Sequence, residues 1–185
     1  MIKKIFFFLI FFSILSSLNA SIKDQILLNL KETKNLVFDF KQTIDEKTEN
    51  GNCIIKYPKK IFCSYNGLYK KVIVSNGKSL VIKSQKNNQY YIYPLNRTPL
   101  ELLLDKDYLI DEIKNLRGRE IGNKYFNFSL KKNNIKISIF FDNKTFNLVG
   151  WQTEDIYQNL VITFISNVKL NQKINKNIFK LPQLN

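Results

Sequence analysis

Residues 51–65 read GNCIIKYPKKIFCSY and describe a β-hairpin folded about a proline. Cys53 and Cys63 lie five residues on either side of Pro58, so a turn at the proline places the two cysteines opposite each other. The Cβ atoms of directly opposed residues lie ~4.5–5.5 Å apart, which is close to the distance that a disulfide needs. The hairpin is therefore compatible with a disulfide, and equally with two buried thiols that never pair.

The same symmetry places Ile55 opposite Ile61 and divides the hairpin into two faces. One face is uncharged and partly aromatic, whereas the other includes Lys56 and Ser64. We expect the uncharged face to point inward, a choice that a shift of one residue in register would invert. Its members are Cys53, Ile55, Tyr57, Ile61, Cys63 and Tyr65.

Strand and turn signals continue on both sides of the hairpin. Before it, Leu36, Phe38 and Phe40 alternate with polar or smaller residues, which predicts a half-buried strand. Short β-rich segments are separated by turn signals at Asn50-Gly51, Pro58-Lys59-Lys60, Asn66-Gly67, Asn76-Gly77, Lys86-Asn87-Asn88, Lys132-Asn133-Asn134, Asp142-Asn143-Lys144 and residues 155–158. This spacing predicts about nine to eleven antiparallel strands.

Two or three helices accompany the strands. Ser21 can cap a helix whose apolar residues Ile22, Ile26, Leu27 and Leu30 fall at helical spacing. Thr98-Pro99-Leu100-Glu101 offers an N-cap, a proline at the first helical position and a capping-box acid, and Leu102, Leu103 and Leu104 follow. Residues 105–120 are ambiguous and favour at most a second short helix around residues 107–114. We expect a mainly β (α+β) fold, an open antiparallel barrel whose concave side the helices cover.

The first twenty residues have the layout of a cleavable export signal. Lys3 and Lys4 precede an apolar stretch from Ile5 to about Leu15, and the segment ends in Leu18-Asn19-Ala20. The apolar stretch is shorter than the ~20 residues of a membrane-spanning helix. We therefore expect residues 1–20 to be removed and residues 21–185 to form one exported, periplasmic domain without a lipid anchor, since the first cysteine is Cys53.

The chain is strongly basic, with a formal net charge of +14. This charge is compatible with attraction to an anionic membrane or an acidic partner, and also with the lysine-rich composition of an AT-rich genome. Nucleic acid is not an expected partner, because an exported protein leaves the cytoplasm and its basic residues form no long cluster.

The residues needed for most enzyme chemistry are missing. The chain has no histidine, which removes the usual general base and the commonest zinc ligand. Asp105, Asp107, Asp111 and Glu112 cluster near a predicted helix, but solvated surface charge explains them better than carboxylate catalysis. We expect neither an enzyme, nor a metal site, nor a cofactor.

Several stretches, in order along the whole mature chain, resemble the periplasmic outer-membrane lipoprotein carrier (LolA) family. The hairpin of residues 51–65 is similar to its G-x-l-x-i-K-R-P-x-x-F-R-W-x-Y motif. The other matching segments are Phe40-Lys41-Gln42, residues 74–80 (VSNGKSL), residues 97–104 (RTPLELLL), Phe141-Asp142, Trp151, Asp155, Asn167-Val168 and Phe179.

The resemblance implies an incomplete antiparallel barrel with a helical lid over an apolar cavity for lipoprotein acyl chains. It also implies a monomeric carrier that takes its cargo from an inner-membrane ABC-type exporter and delivers it to an outer-membrane acceptor. The alternative is a binding module with the same half-barrel that senses lipoproteins or envelope proteins without transporting them.

Candidate binding residues follow from the strand and helix patterns taken with this resemblance. For the sheet wall of the acyl-chain site we expect Leu36, Phe38, Phe40, Ile55, Tyr57 and Ile61, and for the lid Ile26, Leu30, Leu100, Leu103 and Leu104. Ordinary core packing is the competing explanation for each of them, because a cavity wall and a packed core have the same sequence pattern.

One position departs from the family pattern in a way that affects the lid. The arginine of the K-R-P motif, which in the family holds the lid by hydrogen bonding, is Tyr57 here, and a family tryptophan is replaced by Cys63. A tyrosine offers one hydroxyl where an arginine offers five N–H donors. Our hypothesis is that the Tyr57 hydroxyl makes a smaller version of the same contact.

Overall fold

The computed structural model describes residues 21–84, 86, 89–155 and 158–183. The expected signal peptide, residues 1–20, lies outside them. So do Asn87 and Asn88 of one expected turn, and Ile156 and Tyr157 of another.

The described residues begin with the expected amphipathic helix, α1 (Ile22–Glu32). The Ser21 hydroxyl accepts a hydrogen bond from the Asp24 backbone, and the Asp24 carboxylate accepts one from the Ser21 backbone. This reciprocal capping box satisfies the first free N–H groups of the helix. Ile26, Leu27 and Leu30 are buried on one side, as the spacing predicts.

Eleven strands of the described ranges form one antiparallel sheet, which confirms the mainly β prediction. They are β1 (Asn35–Ile44), β2 (Lys47–Lys56), β3 (Lys60–Tyr65), β4 (Lys71–Asn76), β5 (Ser79–Ser84), β6 (Tyr90–Pro94), β7 (Arg119–Ile121), β8 (Tyr125–Lys132), β9 (Ile135–Asp142), β10 (Leu148–Glu154) and β11 (Leu160–Leu170). Their order in the sheet is β6-β5-β4-β3-β2-β1-β11-β10-β9-β8-β7. The strands at the two ends, β6 and β7, are not paired with each other, so the described sheet is an open half-barrel.

The lid helices connect the two edge strands. After β6 the chain forms a 3-10 turn (Leu95–Arg97), α2 (Leu100–Leu104) and α3 (Lys106–Asn115) before entering β7. The expected second helix is therefore present, with Asp105 as its N-cap. The expected cap of α2 is wrong: Pro99 occupies the N-cap position, and the Thr98 hydroxyl donates to the Leu95 carbonyl instead. No helix of the described residues is long and apolar enough to cross a membrane.

The expected turn at Asn50-Gly51 is also wrong, because both residues lie inside β2. The chain reverses earlier, at Asp45 and Glu46, where Asp45 has a φ of 51°. Gly51 is needed for a different reason. A Cβ at this position would lie 2.0 Å from the Ser64 carbonyl oxygen and 2.8 Å from the Phe40 ring. The glycine therefore marks a close approach of neighbouring strands rather than a reversal.

The register of the β2–β3 hairpin matches the sequence prediction. Cys53 pairs with Cys63 and Ile55 with Ile61 around the turn that contains Pro58. In the structure the two cysteines form a disulfide, with Cα atoms 4.1 Å apart. Both cysteines and both isoleucines are buried on the concave face, so the inward assignment of this face is confirmed.

Candidate functional site

The near wall of the half-barrel interior is built by the first three strands. Leu36 on β1 pairs with Ile55 on β2, and Ile55 pairs with Ile61 on β3, so the three side chains form one row across the sheet. Phe38 and Phe40 continue the wall along β1. All five side chains are at most 4% exposed and belong to one apolar cluster.

A far wall, on β8, β9 and β10, was missed by the choice of site residues. It consists of buried side chains on the same face of the sheet, namely Phe128, Leu130, Ile137, Ile139, Phe141 and Trp151. The two walls touch where the rings of Phe38 and Trp151 meet edge to face, with centroids 6.3 Å apart. Strand alternation was visible in these segments, but the side that faces the interior depends on how the sheet curves.

The lid helices pack directly on these walls. Of the five expected lid residues, Ile26, Leu30, Leu103 and Leu104 are buried in the common cluster, whereas Leu100 is only partly buried at its edge. Three further lid residues, Leu102, Leu109 and Ile113, are at most 1% exposed and were not expected. Side chains from α1, α2 and α3 thus share one apolar interior with the sheet.

In the closed form the described apolar side chains of the interior are densely packed. A pocket that reaches them, next to Leu30, Leu36, Tyr57 and Phe141, has a volume of about 10 Å³. That is room for about one water molecule. An acyl chain could enter this interior only if the lid helices moved away from the sheet.

Lys59, in the turn of the β2–β3 hairpin, holds the lid at its α2 end. Its backbone N–H donates to the Leu104 carbonyl at 2.8 Å. Its Nζ lies 2.9 Å from Asp105 Oδ2 and 3.3 Å from Glu101 Oε1, whose side chain is 8% exposed. We call these three contacts of Lys59 the latch. Glu101, expected as a capping-box acid, serves the latch instead, with Lys132 Nζ 4.0 Å from its second oxygen.

The electrostatics of the latch favour the charged lysine. The hydrogen bond to Asp105, followed by that to Glu101, raises the pKa of Lys59 above its ordinary value of 10.5 against the opposing effect of partial burial. A raised folded-state pKa stabilises the protein below the ordinary pKa, and this stabilisation is lost as the pH rises through the raised value. The Lys59 ammonium is therefore fully protonated at neutral pH.

The hypothesis that the Tyr57 hydroxyl holds the lid is wrong for the described structure. Burial raises the pKa of Tyr57, and its hydroxyl has no hydrogen-bond partner among the described residues. Its contact with the lid is the Lys106 ammonium, 5.7 Å from the centre of the ring. The polar contact between the hairpin and the lid is made by Lys59, two residues further along the chain. Its side chain reaches the carboxylates of Glu101 and Asp105 from the turn.

Two acids of the cluster noted in the sequence, Asp105 and Asp111, make structural contacts on the lid helix α3. Asp105 caps α3 by accepting from the Tyr108 backbone and pairs with Lys59. Asp111 pairs with Lys114 on the exposed side of α3. Within the described part of the chain, no group of three histidine, cysteine, aspartate or glutamate side chains could hold a metal ion.

Replacing Lys59 by glutamine is expected to loosen the lid. The variant keeps a polar side chain but leaves Glu101 with a weaker partner, and we expect the amides of α2 and α3 to lose about 1–2 kcal/mol of protection. Native-state hydrogen exchange measures this directly. Tyr57→Phe is the matched control and should change protection by less than about 0.5 kcal/mol. Loss of lid protection in Tyr57→Phe, with none in Lys59→Gln, would restore the tyrosine hypothesis.

Comparison with known proteins supports this description of the fold. The family model described as "Outer membrane lipoprotein carrier protein LolA" matches residues 31–182. An uncharacterized conserved protein from Thermus thermophilus superimposes with a TM-score of 0.52 at 9% identity, covering 88% of this chain and 93% of that one. A LolA superfamily protein from Nitrosomonas europaea gives 0.46 at 10% identity, covering 88% and 99%. MucB gives 0.49 at 6% identity, covering 90% and 65%. No curated protein sequence matches the chain significantly.

Proposed function

Since this chain belongs to the outer membrane lipoprotein carrier (LolA) family, we propose that it carries lipoproteins across the periplasm. In this proposal residues 1–20 direct export, and residues 21–185 act as a monomeric carrier that shelters acyl chains. Cargo is received from an inner-membrane ABC-type exporter and passed to an outer-membrane acceptor. The protein is a binding protein without catalytic chemistry.

The observation that carries this proposal is the apolar interior shared by the half-barrel and its lid. The near wall, the far wall and the lid meet in one cluster, and the sheet stays open between β6 and β7. Burial of each acyl methylene is worth ~0.8 kcal/mol, so a chain of ~15 methylenes gains on the order of 12 kcal/mol by leaving water. An interior of this composition supplies the apolar surface that such a chain requires.

Acyl binding in this fold is an exchange of contacts. In the closed form, the lid residues Leu103 and Leu104 are buried in the same apolar cluster as wall residues such as Ile55 and Ile61. We propose that a bound acyl chain takes the place of these lid contacts while the lid covers the chain from outside. The wall then comprises Leu36, Phe38, Phe40, Ile55, Tyr57 and Ile61, with the far wall opposite. Cargo can leave again because the lid competes for the same surface.

A release assay tests the proposal. Spheroplasts of cells depleted of this protein should retain lipoproteins in the inner membrane, and purified protein added outside should bring them into the soluble fraction. The soluble complex should contain one acylated lipoprotein per chain by native mass spectrometry. A sensing module would bind lipoproteins without removing them from the membrane. Correctly folded protein that releases nothing would therefore contradict the carrier function and favour the sensor.

A further inference from the structure

The outer face of the sheet carries a groove that the carrier function does not use. Two adjoining depressions, of about 370 and about 200 Å³, cross the outer surface of β7, β8, β9 and β10. They share Ser129, Ser138 and Gln152, so they form one continuous groove. These side chains point away from the apolar interior, because they alternate along their strands with buried residues such as Phe128 and Ile139.

Four cationic side chains line this outer groove. Arg117 and Arg119 lie at one end, and Lys131 and Lys136 lie at the other, together with one acidic residue, Glu154. None of the four forms an ion pair with an acidic side chain that the structure describes. Lys131 and Lys136 are directly opposed on β8 and β9, an arrangement of like charges that destabilises a sheet. Glu154 lines the same end of the groove but forms no ion pair with either lysine in the described structure.

The arginines of this groove stand out against the composition of the chain. Among 29 basic residues there are three arginines, and Arg117 and Arg119 are two of them. A guanidinium presents a planar fork of N–H donors that matches phosphate oxygens, whereas a lysine acts as a point charge. Two arginines at one end of a groove that also offers hydroxyl and amide groups fit a phosphate-bearing ligand.

A partly exposed aromatic cluster borders the same groove. Phe140, which lines it, stacks on Phe164 with ring centroids 6.1 Å apart, across the small residue Gly150. Tyr125 completes the cluster, with Lys124 5.1 Å from its ring centre. Phe164 is 42% exposed, and Leu160, on the same face of β11 and paired with Glu154, is 44% exposed. Cations beside exposed aromatic and aliphatic side chains are typical of surfaces that rest on lipid head groups.

We propose that the outer face of β7–β11 docks on a membrane that contains anionic phospholipids. Arg117, Arg119, Lys131 and Lys136 contact lipid phosphates, and Phe164 and Leu160 enter the boundary between head groups and acyl chains. Exposed apolar groups next to the cations favour a bilayer over an acidic protein, for which charge alone would suffice. The proposal goes beyond the carrier function and does not rest on it, because the lid and the interior take no part.

The test is binding of the mature chain to vesicles of phosphatidylcholine with and without phosphatidylglycerol. We expect sedimentation with the anionic vesicles only, weakened by high salt. R117Q/R119Q should bind them ~30-fold more weakly, since each basic residue near an anionic surface contributes a factor of about five. K70Q/K78Q is the matched control, because it removes the same charge from exposed residues at the two ends of β4, in the other half of the sheet, and it should bind within about threefold of the unchanged protein. Phe164→Ser should weaken binding at low and high salt alike.

Four results would overturn the docking surface. Equal binding to both vesicle types would mean that the negative charge of the lipid is not recognised. Equal weakening by K70Q/K78Q would mean that binding depends on the net charge of the protein and not on this groove. Binding of inorganic phosphate that depends on Arg117 and Arg119, without vesicle binding, would assign the groove to a free anion. Arginine-dependent retention on immobilised polyglutamate, again without vesicle binding, would assign it to an acidic protein.

Discussion

Replacing Leu103 by aspartate is expected to detach the lid from the sheet. The Leu103 side chain is completely buried between the lid and the walls. A carboxylate there would be desolvated with no basic partner in the cluster, which costs about 3 kcal/mol or more. We expect hydrogen exchange to show loss of protection in α2 and α3 while the β1–β3 amides stay protected, and lipoprotein release from spheroplasts to fall.

Leu100→Asp provides the matched control for this change. Leu100 has the same chemistry and belongs to the same short helix, but it is only partly buried. Its carboxylate can remain in water, so we expect lid protection to fall by no more than about 1 kcal/mol. Equal loss in both variants would mean that helix propensity, rather than contact with the walls, keeps the lid closed.

Gly51→Ala is expected to have the second large effect, on the stability of the whole sheet. The new methyl group would meet the Ser64 carbonyl oxygen at 2.0 Å, and a backbone atom cannot move aside without separating β2 from β3. We expect the free energy of unfolding to fall by about 3 kcal/mol, at the upper end of overpacking effects. Urea denaturation followed by circular dichroism measures the change.

Gly67→Ala is the control that tests whether the loss of stability in Gly51→Ala comes from the close approach of Gly51 to the Ser64 carbonyl oxygen. No heavy atom outside its chain neighbours lies within 4 Å of a Cβ built on Gly67, which is in the exposed loop between β3 and β4. The unfolding free energy should change by less than about 0.5 kcal/mol. A Gly51→Ala protein as stable as Gly67→Ala would mean that the two strands lie farther apart than described.

The hairpin could be predicted from sequence because several local signals agreed. Pro58, the equal spacing of the cysteines and the apolar alternation each indicated the register that pairs Cys53 with Cys63. Asn50-Gly51 misled for a physical reason: the dipeptide favours tight turns, but glycine is also required where backbones approach closely. The dipeptide alone cannot show whether the glycine forms a turn or a close contact between strands. The close contact depends on Ser64, which lies on the neighbouring strand.

The site itself was only half predictable. The near wall follows from alternation along β1, β2 and β3. The far wall faces the same interior only because β1 pairs with β11, which joins the first and last strands of the chain in one sheet. The latch could not be predicted from the position of the family arginine, because that position is Tyr57 and the latch lysine lies two residues further on. A lysine in a turn is normally a solvated charge, and its carboxylate partners, Glu101 and Asp105, are distant in the sequence.

The position of α2 and α3 in the chain sets how far the lid can travel. These helices are the covalent bridge between the two edge strands, and α3 is joined to β7 by residues 116–118 alone. A connection of that length spans at most on the order of 10–14 Å when fully extended. The lid can therefore move away from the sheet by about this distance while it stays covalently attached. If the chain is the carrier proposed above, the lid competes with the acyl chain for the same apolar surface, and its high effective concentration over the sheet allows it to return once the acyl chain leaves.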